Sequence, residues 1–139
     1  MEKNISFTLI LNWLKSTEMF ARPSKQLPGK WQLEEYYVET GDELRNITES
    51  RLKAAKELWN IEFTADKNYL HECNLPVSFI SGIKNGNWNT SQNFITLKFS
   101  GISNESVEFQ FAIEKEQLKL LKKDEKGSIE FFGFFNRIR

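Results

Sequence analysis

The sequence contains few residues of the kinds that most often build a covalent or metal site. It has one cysteine, Cys73, and one histidine, His71, in 139 residues. A single cysteine excludes an internal disulfide, and a zinc site would need carboxylates for its remaining ligands. The glycines form no phosphate-binding or dinucleotide-binding motif. We therefore expect no metal and no cofactor.

Net charge is also absent, because 19 basic residues balance 19 acidic ones. No excess of either sign favours a nucleic acid or an anionic membrane as a partner. Apolar runs are much shorter than the ~20 residues that a membrane-spanning helix needs. We expect neither a nucleic-acid partner nor an integral membrane span, and the sequence does not identify a protein partner.

Residues 1–26 are expected to form a leader, or an N-terminal helix followed by a linker. An apolar run within them has the length of a signal-peptide core. The same run spaces Ile5, Leu9 and Trp13 four residues apart, as an amphipathic helix does. The two interpretations predict different compartments: the periplasm or the exterior if residues 1–21 act as a signal, and the cytoplasm otherwise.

Aromatic residues and short alternating stretches are what the rest of the chain has in quantity. Twelve Phe and four Trp supply bulky side chains for a core or for a cavity wall. Apolar and polar residues alternate clearly from Trp59 to Ala65 and from Val107 to Ile113, and a further strand is predicted at Val77–Ile83. Turn sequences such as Asp66-Lys67-Asn68 and Asn85-Gly86 separate such stretches. Eight or nine strands at hairpin spacing predict an all-β sandwich or closed barrel.

The first strand opens after a proline-glycine break at Pro28-Gly29. Its alternation predicts that one face carries Trp31, Leu33, Glu35 and Tyr37 and that the other carries Gln32, Glu34 and Tyr36.

Residues 40–58 follow as an insertion that we expect to be helical. Thr40 and Glu43 have the spacing of a capping box, and residues 53–57 are rich in strong helix formers. Such a helix lies either across one opening of a barrel or on its surface without a gating role.

Several short motifs occur in an order that resembles one known family. They are Gly29-x-Trp31, Trp59 to Phe63, Thr64 to Tyr69, Gly86-Asn87-Trp88, Phe94 to Leu97, Leu118 with Leu120, and Arg137-Ile138. The succession is similar to the small bacterial lipocalin-like domains, which are calycin-type barrels. The resemblance implies an eight-stranded antiparallel up-and-down barrel over residues 27–139. It also implies a structural signature of Gly29, Trp31 and Arg137, with Arg137 over the Trp31 ring in a cation–π contact.

The resemblance implies a non-enzymatic protein that binds a small hydrophobic molecule inside the barrel. The candidate ligand-binding residues, taken from inward positions, are Trp59, Phe63, Tyr69, His71, Phe109, Phe111 and Phe131. Tyr69 and His71 are expected to orient the ligand, because polar groups in an apolar pocket fix its direction.

Two other functions remain open from the sequence. Phe132 and Phe134 fall on the outer face, so a filled barrel would instead be a protein-interaction or structural module, unless the 40–58 helix or the leader helix covers them. An enzyme would use His71 with Cys73, but positions i and i+2 of a strand lie ~6.5 Å apart, too far for a direct hydrogen bond.

Overall fold

The computed structural model describes residues 26–77, 85–99 and 106–138, which form nine β-strands and one α-helix. In chain order these are β1 (Gly29–Thr40), β2 (Glu43–Ile47), α1 (Glu49–Ala55), β3 (Trp59–Phe63), β4 (Asn68–Cys73), β5 (Asn85–Ser91), β6 (Phe94–Phe99), β7 (Ser106–Glu114), β8 (Gln117–Lys123) and β9 (Ile129–Ile138). The prediction of an all-β chain is confirmed. The leader helix and most of the strand predicted at Val77–Ile83 lie outside the described residues.

Eight of these strands close into an antiparallel barrel. They follow one another as β1, β3, β4, β5, β6, β7, β8 and β9, and β9 pairs back with β1. β2 pairs with the second half of β1 and lies beside the barrel. The closed eight-stranded barrel is therefore confirmed, and closure leaves few strand edges to aggregate.

A β-bulge in β1 reverses the predicted faces of that strand from Glu35 onward. Leu33 pairs with Phe135 and Glu35 pairs with Phe134, so Glu34 is an extra residue in the ladder. The alternation therefore changes phase, and Tyr36 turns into the barrel core. The prediction that Tyr37 shares the face of Trp31 is wrong, because Tyr37 packs in a separate cluster.

The insertion at residues 40–58 is only partly helical. Its first part forms β2, whose residues pair with β1 from Tyr36 to Thr40. The predicted capping box at Thr40 is therefore wrong. The helix cap is Thr48, whose side chain accepts a hydrogen bond from the backbone N–H of Arg51. Leu52 is the buried residue of α1 and joins the barrel core.

The two ends of the barrel differ in their connections. At one end, which we call the tight-turn end, short turns join the strands, and Lys115 and Glu116 both have the positive φ of a type I′ hairpin. At the other end, the helix end, β2 and α1 connect β1 to β3, and residues 74–84 connect β4 to β5. Connections that carry binding groups are usually of this longer kind.

The predicted turn at Asn85-Gly86 is wrong, because both residues belong to β5. Gly86 pairs with Tyr69 on one side and Phe99 on the other. A Cβ atom at Gly86 would collide with the backbone carbonyl of Lys98. Glycine therefore permits a close approach of β5 and β6 rather than a turn.

Apolar residues form two clusters, one inside the barrel and one outside. The inner cluster contains Trp31, Trp59, Trp88 and most of the buried Phe residues. The outer cluster consists of Tyr37, Ala112, Leu121, Ile129 and Phe132, with Leu44 and Phe134 packed against it. Phe132 and Phe134 are thus on the outer face as predicted. The sequence predicts that the 40–58 helix or the leader helix covers them. Leu44 of the 40–58 insertion packs against the outer cluster, but it does so from strand β2 rather than from a helix, and the leader helix lies outside the described residues.

Candidate functional site

Arg137 and Trp31 close the tight-turn end. The guanidinium carbon of Arg137 lies 4.2 Å from the centre of the Trp31 ring, so the predicted cation–π contact is present. Arg137 also donates hydrogen bonds to the carbonyls of Gln26 and Pro28 and to the carboxylate of Glu116. Trp31 is fully buried and donates to a carbonyl in the same entry segment, that of Leu27. This end is therefore occupied by structural contacts.

Gly29 completes this arrangement for a steric reason. Its φ is +138°, and a Cβ atom there would collide with the guanidinium of Arg137. Only glycine combines this backbone conformation with room for the arginine. The Gly29-x-Trp31 motif and Arg137 therefore belong to one structural unit.

The predicted ligand-binding residues lie mainly in the aromatic core. Six of them are buried in the inner cluster: Trp59, Phe63, Tyr69, Phe109, Phe111 and Phe131. The ring of Trp59, for example, packs against Phe131 and Phe135, with its centre 5.3 Å from the centre of each. These side chains support one another at distances typical of aromatic pairs.

His71 is half-buried and accepts hydrogen bonds from two core side chains. Its Nδ1 lies 2.6 Å from the Tyr69 hydroxyl and 3.2 Å from Nε1 of Trp59. An indole N–H can only donate, so Nδ1 carries no proton and the Tyr69 hydroxyl must donate as well. Burial raises the pKa of Tyr69 far above its ordinary value, which keeps this phenol protonated. His71 thus satisfies two core donors.

Cys73 follows on the same strand and is partly buried. Burial raises the pKa of its thiol, and a backbone hydrogen bond involving Leu75 only partly offsets this. The thiolate is the reactive form of cysteine, so the raised pKa lowers its nucleophilicity at neutral pH.

A cavity of about 330 Å³ opens at the helix end. Its walls come from the second half of β1, from β2, from the end of α1 and from the segment after β4. The apolar part of the wall consists of Val38, Ile47, Ala55, Pro76 and Val77. Three of these, Val38, Ile47 and Val77, also pack against the inner cluster, so the cavity lies directly on the barrel core.

Four polar side chains complete the lining: Tyr36, Arg45, Arg51 and Glu57. Within the described part of the chain, neither arginine forms an ion pair or a hydrogen bond through its side chain. Burial and the nearby Glu57 carboxylate raise the pKa of Tyr36, while the two arginines lower it. The phenol therefore stays protonated at neutral pH and is available as a hydrogen-bond donor.

The cavity is connected to the core through one aromatic contact. The ring of Tyr36 lies 5.2 Å from that of Phe131, which in turn packs on Trp59. Phe131 and Trp59 are predicted ligand-binding residues, and they stand behind Tyr36 rather than in the cavity wall. Of the predicted set, His71 lines a second cavity, of about 300 Å³, beside the exposed Leu70 and Ile138.

The chain has no match among protein-family models. A search of curated proteins also finds no significant match.

Sequence reasoning missed the four polar residues of the cavity. Tyr36 was assigned to the wrong face because the bulge at Glu34 leaves no mark in the alternation. Arg45 pairs with Val38 of the first strand and Arg51 lies on α1, so their common location depends on how β2 and α1 fold back. Arg45 and Arg51 stand among several other charged residues of the insertion, so the sequence offers no signal that singles them out.

No three His, Cys, Asp or Glu side chains come together as a metal site among residues 26–77, 85–99 and 106–138. In those same ranges, no helix has the length and apolar character needed to cross a membrane.

Proposed function

We propose that the protein binds a small hydrophobic ligand in the cavity at the helix end, as a non-enzymatic, lipocalin-like barrel of up-and-down topology. The observation that supports this most is the cavity itself. Its volume of about 330 Å³ falls within the ~300–1,000 Å³ of typical small-molecule sites. It combines apolar walls with a few polar groups, which is the usual composition of such sites.

The ligand would be held by apolar burial against Val38, Ile47 and Val77, with the Tyr36 phenol donating a hydrogen bond to a polar atom. Burying about 200 Å² of apolar ligand surface gains about 5 kcal/mol at ~25 cal/mol per Å². Loss of translational and rotational freedom offsets part of this gain. We therefore expect weak binding, with dissociation constants between about 0.1 mM and about 10 mM.

The second candidate function, an interaction module using the outer aromatic face, has less support. It needs Phe132 on an accessible surface, whereas Phe132 is buried within the outer cluster and stacks near Tyr37 and Phe134.

Filling the cavity tests the proposed function. Ala55 lines the cavity, and its neighbour Ala54 on the same exposed helix end does not. We expect Ala55→Trp to weaken binding of octanol by about tenfold or more, as measured by calorimetry, because the indole occupies the site. Ala54→Trp is the matched control and should leave the affinity within about twofold. Equal affinities for the two variants would contradict binding in this cavity.

A further inference from the structure

Two arginine side chains that have no hydrogen-bond or ion-pair partner among the described residues line the cavity at the helix end. Arg45 projects from β2 and Arg51 from α1, so two separate elements bring them to one site. Elsewhere in the described part of the chain, Arg137 is paired with Glu116, and Lys119 and Lys122 are paired with carboxylates. Of the described arginines, the two that line the cavity are therefore the ones without an ion pair.

The charge balance of the cavity is set by three groups. Arg45 and Arg51 contribute two positive charges, and Glu57 contributes one negative charge, which leaves a net charge of +1. Among the described residues, Glu57 forms no ion pair with either arginine, so both guanidiniums keep their hydrogen-bond donors for other acceptors. Guanidinium groups present several donors in a plane and match a carboxylate or another oxyanion.

We propose that the ligand of this cavity is a small amphiphile with one negative charge, whose head group is held by Arg45 and Arg51 and whose apolar body lies against Val38, Ile47 and Val77. This inference rests on the proposed function, since it names the chemical class that the same cavity accepts. The Tyr36 phenol, deeper in the wall, is placed to donate to a second ligand oxygen. Glu57 disfavours a dianion, because a dianion would exceed the net charge of +1 of the cavity and its second negative charge would be repelled by the Glu57 carboxylate.

The cavity volume limits the size of the ligand. At ~30 Å³ for each water-sized group, about 330 Å³ holds roughly ten non-hydrogen atoms. An alkyl carboxylate of eight carbons has this size. Longer chains would extend from the mouth into solvent and gain little from further length.

The experiment compares three probes of equal chain length: octanoate, octanol and octylammonium. Each is titrated by calorimetry, at low salt, into the full chain and into Arg45→Gln, Arg51→Gln and Lys53→Gln. Lys53→Gln is the control, since it removes one positive charge from α1, the helix that carries Arg51. Lys53 pairs with Glu49 and does not line the cavity. Circular dichroism verifies that each variant keeps the barrel.

We expect octanoate to bind at least about fivefold more tightly than octanol, and octylammonium to bind most weakly. Each arginine variant should lose about three- to tenfold in octanoate affinity while changing octanol affinity by less than about twofold. Lys53→Gln should change neither by more than about twofold. Added salt should reduce the preference for octanoate, because exposed charges are screened.

The two proposals fail in different ways. Octanol binding as tightly as octanoate, with Arg45→Gln and Arg51→Gln behaving like Lys53→Gln, overturns the anionic head group and leaves ligand binding in place. Binding of none of the three probes to the unmodified chain overturns both.

Discussion

Arg137 connects the last strand, β9, to the segment that precedes β1. Its guanidinium contacts the Trp31 ring and three oxygen acceptors, on Gln26, Pro28 and Glu116. One side chain therefore connects the segment before β1, the last strand and the turn between β7 and β8. The resemblance of Gly29-x-Trp31 and Arg137 to the lipocalin-like pattern predicts this contact.

Gly29→Ala tests the steric part of that arrangement. The added methyl group meets the Arg137 guanidinium at a backbone φ of +138°, so we expect a loss of about 1–3 kcal/mol in the free energy of unfolding. Gly41 also has a positive φ, but open space surrounds it. Gly41→Ala, at a φ of +62°, is therefore the control for a glycine with a positive φ and no steric neighbour, and should cost about 1 kcal/mol. Urea denaturation measures both, and an equal loss in the two variants would contradict a steric role for Gly29.

His71 shows at the same scale which feature of a candidate site the sequence does not contain. We predict it as an orienting group for a ligand, because polar groups in an apolar pocket fix the direction of a ligand, and it lines the second cavity, of about 300 Å³. In the structure its Nδ1 accepts from Trp59 and Tyr69. Which acceptor a buried indole finds depends on cross-strand geometry, and the sequence does not contain that information directly.

At the scale of elements, the bulge at Glu34 decides what the helix end contains. Without it, Tyr36 would face outward and Tyr37 would face inward, because one residue reverses every later side chain of a strand. The bulge arises where β1 pairs with β9, about a hundred residues away in sequence. A local alternation pattern therefore predicts Trp31 and Leu33 correctly and fails immediately afterwards.

Deletion of Glu34 tests this directly. Without this extra residue, Leu33 and Tyr36 lie two positions apart, both still face the core, and the pairing with β9 is unchanged. We therefore expect the barrel to fold and to lose no more than about 1 kcal/mol of stability. Glu34→Ala keeps the chain length and should stay within about 0.5 kcal/mol of the original. Thermal denaturation compares the two. A deletion variant that fails to fold while Glu34→Ala folds normally would show that Glu34 is not an extra residue of the ladder.

The insertion between β1 and β3 illustrates a second limit of sequence reasoning. Its helix-forming composition correctly predicts α1, but Leu44 and Ile47, three residues apart, also fit a helix. Pairing with β1 makes this part a strand instead. Tertiary pairing outweighs a weak local preference, and the cavity exists because β2 and α1 turn at Thr48.

At the scale of the whole molecule, the barrel has one end committed to structure and one end with room for a ligand. The fold class and the strand count follow from turn residues and alternation, which are local signals. The cavity does not, because its nine lining residues come from four separate segments.

Buried tyrosine and cysteine side chains predict that the folded protein loses stability at alkaline pH. Burial raises the pKa of Tyr36, Tyr37, Tyr69 and Cys73, so the folded state holds these protons more tightly than the unfolded chain. Their contribution is fully present below the unfolded pKa values, about 8.5 for cysteine and about 10 for tyrosine, and is lost as the pH rises past them. We expect the free energy of unfolding to fall by about 1–4 kcal/mol between about pH 8 and about pH 11.

Tyr69→Phe is the control for this dependence, because it removes the phenol whose pKa is raised most. Urea denaturation across the same pH range should give a flatter profile for the variant. An unchanged slope would show that Tyr69 does not carry the effect.

The position of a bound ligand tests the central claim most directly. A crystal of the protein grown with terminally brominated octanoate would locate the bromine by anomalous scattering. We predict a peak at the helix end, against Val38, Ile47 and Val77, with the carboxylate toward Arg45 and Arg51. A peak beside Trp31 and Arg137, or on the outer cluster around Phe132, would contradict the assignment of the helix end as the binding site.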